Sequence, residues 1–332
     1  MKSNLKIVLA GGSGQVGRVL ARHFGVAGHQ VTILSRNRSL ASPNWVHWDG
    51  TTLGNWISEL KTTDVLINLA GRSVNCRYTR ANRREIIESR VQPTILLGRA
   101  LNQLDNPPRI WINASTATIY RHSLNQDMDE AGEIGGAEDQ APQSWRFSIE
   151  VARRWEEAFF SCSVPDTRKI AIRNAMVMSP DRGSVFDILL RLVRFGFGGR
   201  IASGSQYVSW IHELDFVNSV HHLISHPEIN GAINIASPKP LPNRDFMSAL
   251  RKAWGKKFGL SASRSMLEVG TFLLRTESEL VLKSRRVVPK KLLQTGFQFA
   301  FPEWRDAALD LVQCWRGLGS SHVDSRTYEP AR

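Results

Sequence analysis

Cysteine is scarce: Cys76, Cys162 and Cys314 are the only three in 332 residues. An odd number, set far apart and without paired metal spacing, excludes a disulfide framework and a zinc site. The three read as small buried hydrophobes, and no metal is expected. Long uncharged apolar runs are absent too, so no membrane span is predicted and no membrane partner is expected. The N-terminal apolar run is short and flows straight into glycines, unlike a secretory signal, and a cytoplasmic location is expected. There is no internal repeat and no low-complexity tract. Acidic residues are outnumbered, 30 against 43 basic ones, for a net charge of +13. Such a balance can attract nucleic acid. Here, however, the cations are spread through Arg80-Arg83-Arg84, Arg191-Arg194, Lys256-Lys257, Arg285-Arg286 and Lys290-Lys291, mostly on predicted helices. They read as solvated faces, and no nucleic-acid partner is expected.

What is present is ordinary globular material, 42% hydrophobic and 22% charged, in a length that suits about two domains. Its organising stretch is Leu5 to Gly17. A short β-branched run enters Gly11-Gly12-Ser13-Gly14-Gln15-Val16-Gly17, after which Val16, Leu20 and Phe24 recur at helical spacing. This is strand, phosphate loop and helix: Gly11 for the turn, Gly14 for close approach of a pyrophosphate, Gly17 for helix–strand packing. A second strand, Gln30 to Leu34, ends in Ser35-Arg36-Asn37-Arg38. An acid here would meet a ribose hydroxyl of NAD. None is present, and a hydroxyl with guanidinium groups suits a 2′-phosphate, which predicts NADP(H).

Further strands are predicted at Trp45–Trp48, Asp64–Gly71, Arg109–Thr116, Lys169–Arg173, Tyr207–His212 and Gly231–Ala236, with helices at about 53–60, 80–102, 144–160 and 214–224. The alternation implies an α/β fold, a Rossmann-like doubly wound parallel sheet with a smaller, mainly helical C-terminal substrate domain. Expected boundaries are 1–180 plus about 206–237 for the cofactor domain, 181–205 and 238–316 for the substrate domain, and a disordered tail at 317–332. The polar stretch from Arg121 to Ser144 has the length of a lid.

Ligands of such sheets lie beyond the strands' carboxyl ends. Those ends gather Gly11 to Gly17, Asn68-Leu69-Ala70-Gly71, Ser115 to Tyr120 and Ala175 to Pro180. The arrangement resembles the extended short-chain dehydrogenases/reductases, which include the sugar-nucleotide epimerases. Asp64 to Gly71, Glu88-Ser89-Arg90-Val91, Trp155-Glu156, Val208 to His212, and Arg286 to Leu293 with Gly296-Phe297 resemble more closely an atypical subgroup called epimerase family proteins. That resemblance runs to about residue 312 and includes the subgroup's own C-terminal domain.

The wider family implies a Ser or Thr closing the fifth strand, then a Tyr with a Lys four residues on. Thr116 matches the carbonyl-orienting alcohol, with turn capping as its structural alternative. The pair has no match: Tyr78, Tyr120, Tyr207 and Tyr328 are followed four residues later by Asn82, Leu124, Ile211 and Arg332. Aligned from Trp155-Glu156, the pair falls near Ser148 and Ala152, which cannot do that work. Tyr120 is named as the stand-in, with packing as its alternative; Arg121 and His122 are within reach. Asn68, Arg72 and Ser73 are candidates for cofactor or substrate contact, Arg72 replacing the usual acid. Trp210 and His212 resemble the substrate-side strand.

Two functions follow. One is an NADP-dependent oxidoreductase or epimerase-like enzyme acting on a small polar substrate. The other is a non-catalytic NADP(H) sensor that has lost its proton-transfer pair.

Overall fold

The computed structural model describes residues 4–37, 44–136, 142–263 and 279–317. Its strands begin with β1 (Lys6–Ala10), β2 (Gln30–Ser35), β3 (Trp45–His47), β4 (Val65–Asn68), β5 (Ile110–Thr116) and β6 (Arg168–Asn174). Then come β7 (Met176–Met178), β8 (Tyr207–Val208), β9 (Trp210–His212), β10 (Gly231–Ile235) and β11 (Leu241–Pro242). Seven of them form one parallel sheet in the order β10-β6-β5-β4-β1-β2-β3. This is the Rossmann-like doubly wound fold that the alternation of elements predicts.

Period-two alternation along each strand feeds two cores. Ile7 and Leu9 of β1 point to one face, where α1 (Gln15–Val26) and a later helix bring Leu20, Phe24, Phe216 and Val220. Val8 and Ala10 point to the other. There α2 (Ile57–Leu60), α3 (Arg80–Leu101) and α4 (Gln143–Ser161) cover Leu66, Trp111 and Ala171 with Leu60, Leu97, Leu101 and Phe159. Burial on both faces is why the strands read as nearly continuous apolar runs.

A third core joins α5 (Val185–Arg194) to two later helices, after α6 (Glu213–Ser225), the helix that supplies Phe216 and Val220 to the first face. Those two are α7 (Asn243–Trp254) and, beyond the short α8 (Glu279–Leu282) and α9 (Lys290–Gln294), α10 (Trp304–Gly317). Phe246 stacks on Trp304 at 4.0 Å, and Trp210, Leu190 and Leu311 close around them.

Two expectations change here. Tyr207–His212 is not one strand: β8 pairs antiparallel with β11, and β9 pairs parallel with β7. Ser209 forces the break, because its hydroxyl donates to the Arg285 carbonyl at 2.7 Å and accepts the Val287 N–H at 2.9 Å. The expected lid is pinned where it is described. The Met128 N–H donates to the Arg286 carbonyl at 2.7 Å, the Val288 N–H to the Met128 carbonyl at 3.0 Å, and Lys290 pairs with Asp129 at 2.8 Å. The tail from 318 onward lies outside the described residues. Among the described residues the three cysteines are free, and no helix is long and apolar enough to cross a membrane.

On α6, His222 stacks on His226 at 3.7 Å and meets the Thr295 hydroxyl at 2.9 Å. Burial, reinforced by His226, pulls its pKa down from the ordinary 6.5 to about 4. The folded state therefore disfavours its protonation. The stability tied to its neutral form is complete above about pH 6.5 and is lost as pH falls towards 4. A His222→Gln variant is expected to lose less melting temperature between pH 7 and pH 5 than the parent protein; equal losses would contradict this.

Candidate functional site

The strand order reverses at β1, which lies between β2 and β4, and the carboxyl ends of the parallel β1, β4, β5 and β6 share one edge of the sheet, where such folds form a ligand crevice. The glycines of the first turn are there for different reasons. Gly11 has φ of 72°, and a Cβ on it would stand 2.7 Å from the Ala70 Cα; a Cβ on Gly17 would meet the Gly12 carbonyl oxygen at 2.2 Å. The fold itself demands both. Gly14 is free of that constraint, since the nearest atom to its added Cβ is 3.9 Å away. It N-caps α1 without any side-chain hydrogen bond. Beside it the buried Gln15 Nε2 has no partner. An uncapped helix start, an open glycine and an orphaned donor fit an anionic group such as a pyrophosphate. Ser13 contributes its carbonyl to Arg18 at 3.0 Å, and Val16 packs on the first core.

Ser35 ends β2 almost buried, its hydroxyl accepting the Asn37 N–H at 3.2 Å. Arg36 is exposed beside it. Arg38 lies outside the described residues. In the second turn, Asn68 is fully buried and its amide is spent internally. It donates to Thr94 Oγ1 at 3.0 Å and Asn113 Oδ1 at 2.7 Å, and accepts the Ala70 N–H at 3.1 Å. Asn68 therefore shapes the Leu69-Ala70-Gly71 turn, and what the turn offers a ligand is backbone. Arg72 is paired with Glu85, and the Ser73 hydroxyl accepts the Asn75 N–H at 3.2 Å.

Thr116 sits at the end of β5, its hydroxyl accepting the Thr118 N–H at 3.2 Å. Tyr120, just past β5, is almost fully buried. Its hydroxyl donates to Asn234 Oδ1 at 2.7 Å and accepts from Arg173 at 2.8 Å, and burial pushes its pKa up. These bonds set Tyr120 in a closed, buried network, which favours the packing alternative. Trp210 lies in the third core, 4.9 Å from Trp304. His212 caps α6 through the Leu214 N–H at 3.1 Å, with Asp310 at 3.2 Å on its other nitrogen. Both of its ring nitrogens are thus engaged within the fold. Arg121 is bound to Glu133 at 2.9 Å, and His122 accepts the Ser284 N–H at 3.0 Å.

Comparison with known proteins agrees with this geometry. Residues 7–142 match the sequence model of the NAD dependent epimerase/dehydratase family, and residues 264–311 match that of a domain of unknown function, DUF1731. Human epimerase family protein SDR39U1 is 28% identical over 93% of this chain and 100% of its own length. The chain is thus similar to the epimerase family proteins of the extended short-chain dehydrogenases/reductases. A crystal structure of the human protein with NADPH superposes with a TM-score of 0.81 at 26% identity, covering 93% of this chain and 99% of that one. A nucleoside-diphosphate sugar epimerase from Corynebacterium glutamicum superposes at 0.72 with 26% identity, over 97% of this chain and 63% of its own.

Against that family's pattern, the structure shows what stands at the vacant Tyr and Lys positions. Ala152 is fully buried and supplies no charge. The Ser148 hydroxyl donates to the Glu279 carboxylate of α8, and the Tyr78 hydroxyl lies 3.4 Å from it. Lys283 Nζ donates to the Thr118 carbonyl at 2.7 Å, and Arg285 Nε to the Thr118 hydroxyl at 3.1 Å. The Arg285 guanidinium is 3.7 Å from Glu279; burial lowers its pKa, opposed by the charges of Glu279 and Tyr78. Sequence reasoning missed this group because its members lie up to 137 positions from Ser148 in the chain (285 − 148). The available signal was Glu279 and Lys283 flanking the apolar Leu280-Val281-Leu282, charges that demand partners when buried.

Proposed function

We propose that this protein binds NADP(H) in the β1 crevice and uses it in an oxidoreductase or epimerase-like reaction on a small polar substrate held between the sheet and the smaller helical region. The observation that carries the reading is the first turn: an open Gly14 on an uncapped helix, with Ser35 and Arg36 and no acid at the end of β2. The NADPH bound to the human relative supports it. The cofactor supplies hydride chemistry. Gly14 and the α1 amides hold its pyrophosphate, Ser35 and Arg36 its 2′-phosphate, and Thr116 orients a substrate carbonyl or alcohol. Ser148, too weak an acid to act alone, relays a proton between the substrate and the Glu279 carboxylate it is bonded to, with the Tyr78 hydroxyl 3.4 Å from it.

Losing the charge-assisted contact of Arg36 is worth about 1.5–3 kcal/mol, so Arg36→Ala is expected to weaken NADPH binding by about 10- to 100-fold while changing NADH binding by less than about twofold. Fluorescence titration with the two cofactors checks this; an equal loss for both would remove the 2′-phosphate assignment. Turnover is tested as NADPH consumption over a panel of carbonyl compounds, comparing the parent with Glu279→Gln. The alanine at position 152 favours the second reading, a non-catalytic sensor. Tight NADPH binding with no turnover of any compound would establish it.

A further inference from the structure

The third core carries a surface that the cofactor reading leaves unused. Large apolar side chains there are strongly exposed: Phe258 at 87%, Phe195 at 74%, Leu260 at 67% and Phe197 at 57%. They are not scattered. The Leu260 N–H donates to the Gly196 carbonyl at 2.7 Å, the Gly199 N–H to the Leu260 carbonyl at 3.0 Å, and the Ala262 N–H to the Arg200 carbonyl at 3.0 Å. Arg251 donates to the Gly198 carbonyl at 2.5 Å. These bonds fasten the loop after α5 to the loop after α7, so the four side chains crown one rigid tip. The outward face of α5 extends it with Ile188 and Leu192, 50% and 39% exposed.

The charge around the tip has one sign. Residues 188–200 and 251–263 hold seven arginines and lysines and not one aspartate or glutamate. Lys252, Lys256, Lys257 and Arg200 are exposed. Arg194 lies over Trp254 at 5.4 Å and over Trp315 at 4.7 Å, and Arg316 lies over Trp254 at 4.4 Å, which keeps two cations at the base of the tip. Contiguous exposed apolar surface on a globular protein marks an interaction site. A second copy docking face to face would oppose like charges. We infer that this tip docks on a membrane surface rich in anionic phospholipid, its phenylalanines and Leu260 entering the headgroup–acyl boundary while the lysines and arginines meet the phosphates.

The test is sedimentation of the full chain with vesicles of phosphatidylcholine alone and of phosphatidylcholine mixed with phosphatidylglycerol, at low and physiological salt. The anionic vesicles are expected to bind at least about 10-fold more protein, with salt weakening the binding. Phe195→Ser with Phe258→Ser, and separately Lys256→Gln with Lys257→Gln, are each expected to lower it about 10-fold. Arg80→Gln with Arg109→Gln removes the same charge from exposed positions elsewhere and is expected to change it less than twofold. Unchanged melting temperatures show that each variant is folded. Equal binding to both vesicle types overturns the inference. So does an equal loss in the Arg80/Arg109 variant, which would mean that net charge alone drives binding. Full binding by the phenylalanine variant, matched by capture on polyglutamate, would point instead to an acidic protein partner and equally overturn it.

Discussion

Replacing Glu156 by alanine is expected to destabilise the protein by about 3–5 kcal/mol, the cost of leaving a buried charge without its counter-ion. Arg173 on β6 forks onto this carboxylate, Nε to Oε1 and Nη2 to Oε2, both at 2.8 Å, with side-chain exposures of 9% and 10%. Ser115 of β5 donates to the same Oε1 at 2.6 Å, and the remaining arm of Arg173 reaches Tyr120, which in turn holds Asn234 of β10. Three adjacent strands and α4 are thus joined through one ion pair. Burial works against the Arg173 charge, yet the Glu156 carboxylate outweighs it and raises the arginine's pKa. Removing the carboxylate strands the guanidinium; removing both charges does not. The double variant Glu156→Met with Arg173→Met is therefore expected to be more stable than Glu156→Ala. Urea unfolding measures both, and a single-variant loss below about 1 kcal/mol would show that water already compensates the pair.

The second large effect concerns binding without stability. Gly14→Val is expected to raise the NADPH dissociation constant about 100-fold or more, because its side chain fills the space through which a pyrophosphate reaches the α1 amides. The nearest atom to the added Cβ is 3.9 Å away, so the melting temperature is expected to move by less than about 2 °C. Gly17→Ala makes the contrast. Its Cβ would press to 2.2 Å of the Gly12 carbonyl oxygen, and it is expected to lower the melting temperature as well as affinity. A Gly14→Val protein with unchanged NADPH affinity, measured by calorimetry, would move the cofactor away from this turn.

Much of the architecture was legible in local pattern. Buried parallel strands announce themselves as β-branched runs, and Gly11 and Gly17 sit where a turn with φ of 72° and a close helix require them. The absence of an acid at 35–37 was equally plain. Less legible was which polar group faces which way. Asn68 and His212 end strands, Tyr120 follows β5 by one turn, and all three look available from the sequence. In the fold their polar atoms are consumed by Thr94 and Asn113, by Arg173 and Asn234, and by Leu214 and Asp310. Burial forces such groups to find partners, and partners supplied by distant segments carry no local mark.

The sequence by itself determined the sheet, the phosphate loop and the departure from the usual Tyr and Lys, because each is written in residues that are neighbours in the chain. Tertiary structure alone decided which side chains gather around the positions of that pair. Folding carries Glu279, Lys283 and Arg285 back over β5 to meet Ser148, Tyr78 and Thr118. It likewise bound the loops at 195–200 and 256–262 into one basic, apolar tip. Contacts of that range depend on chain closure around a shared core, which no window of sequence contains.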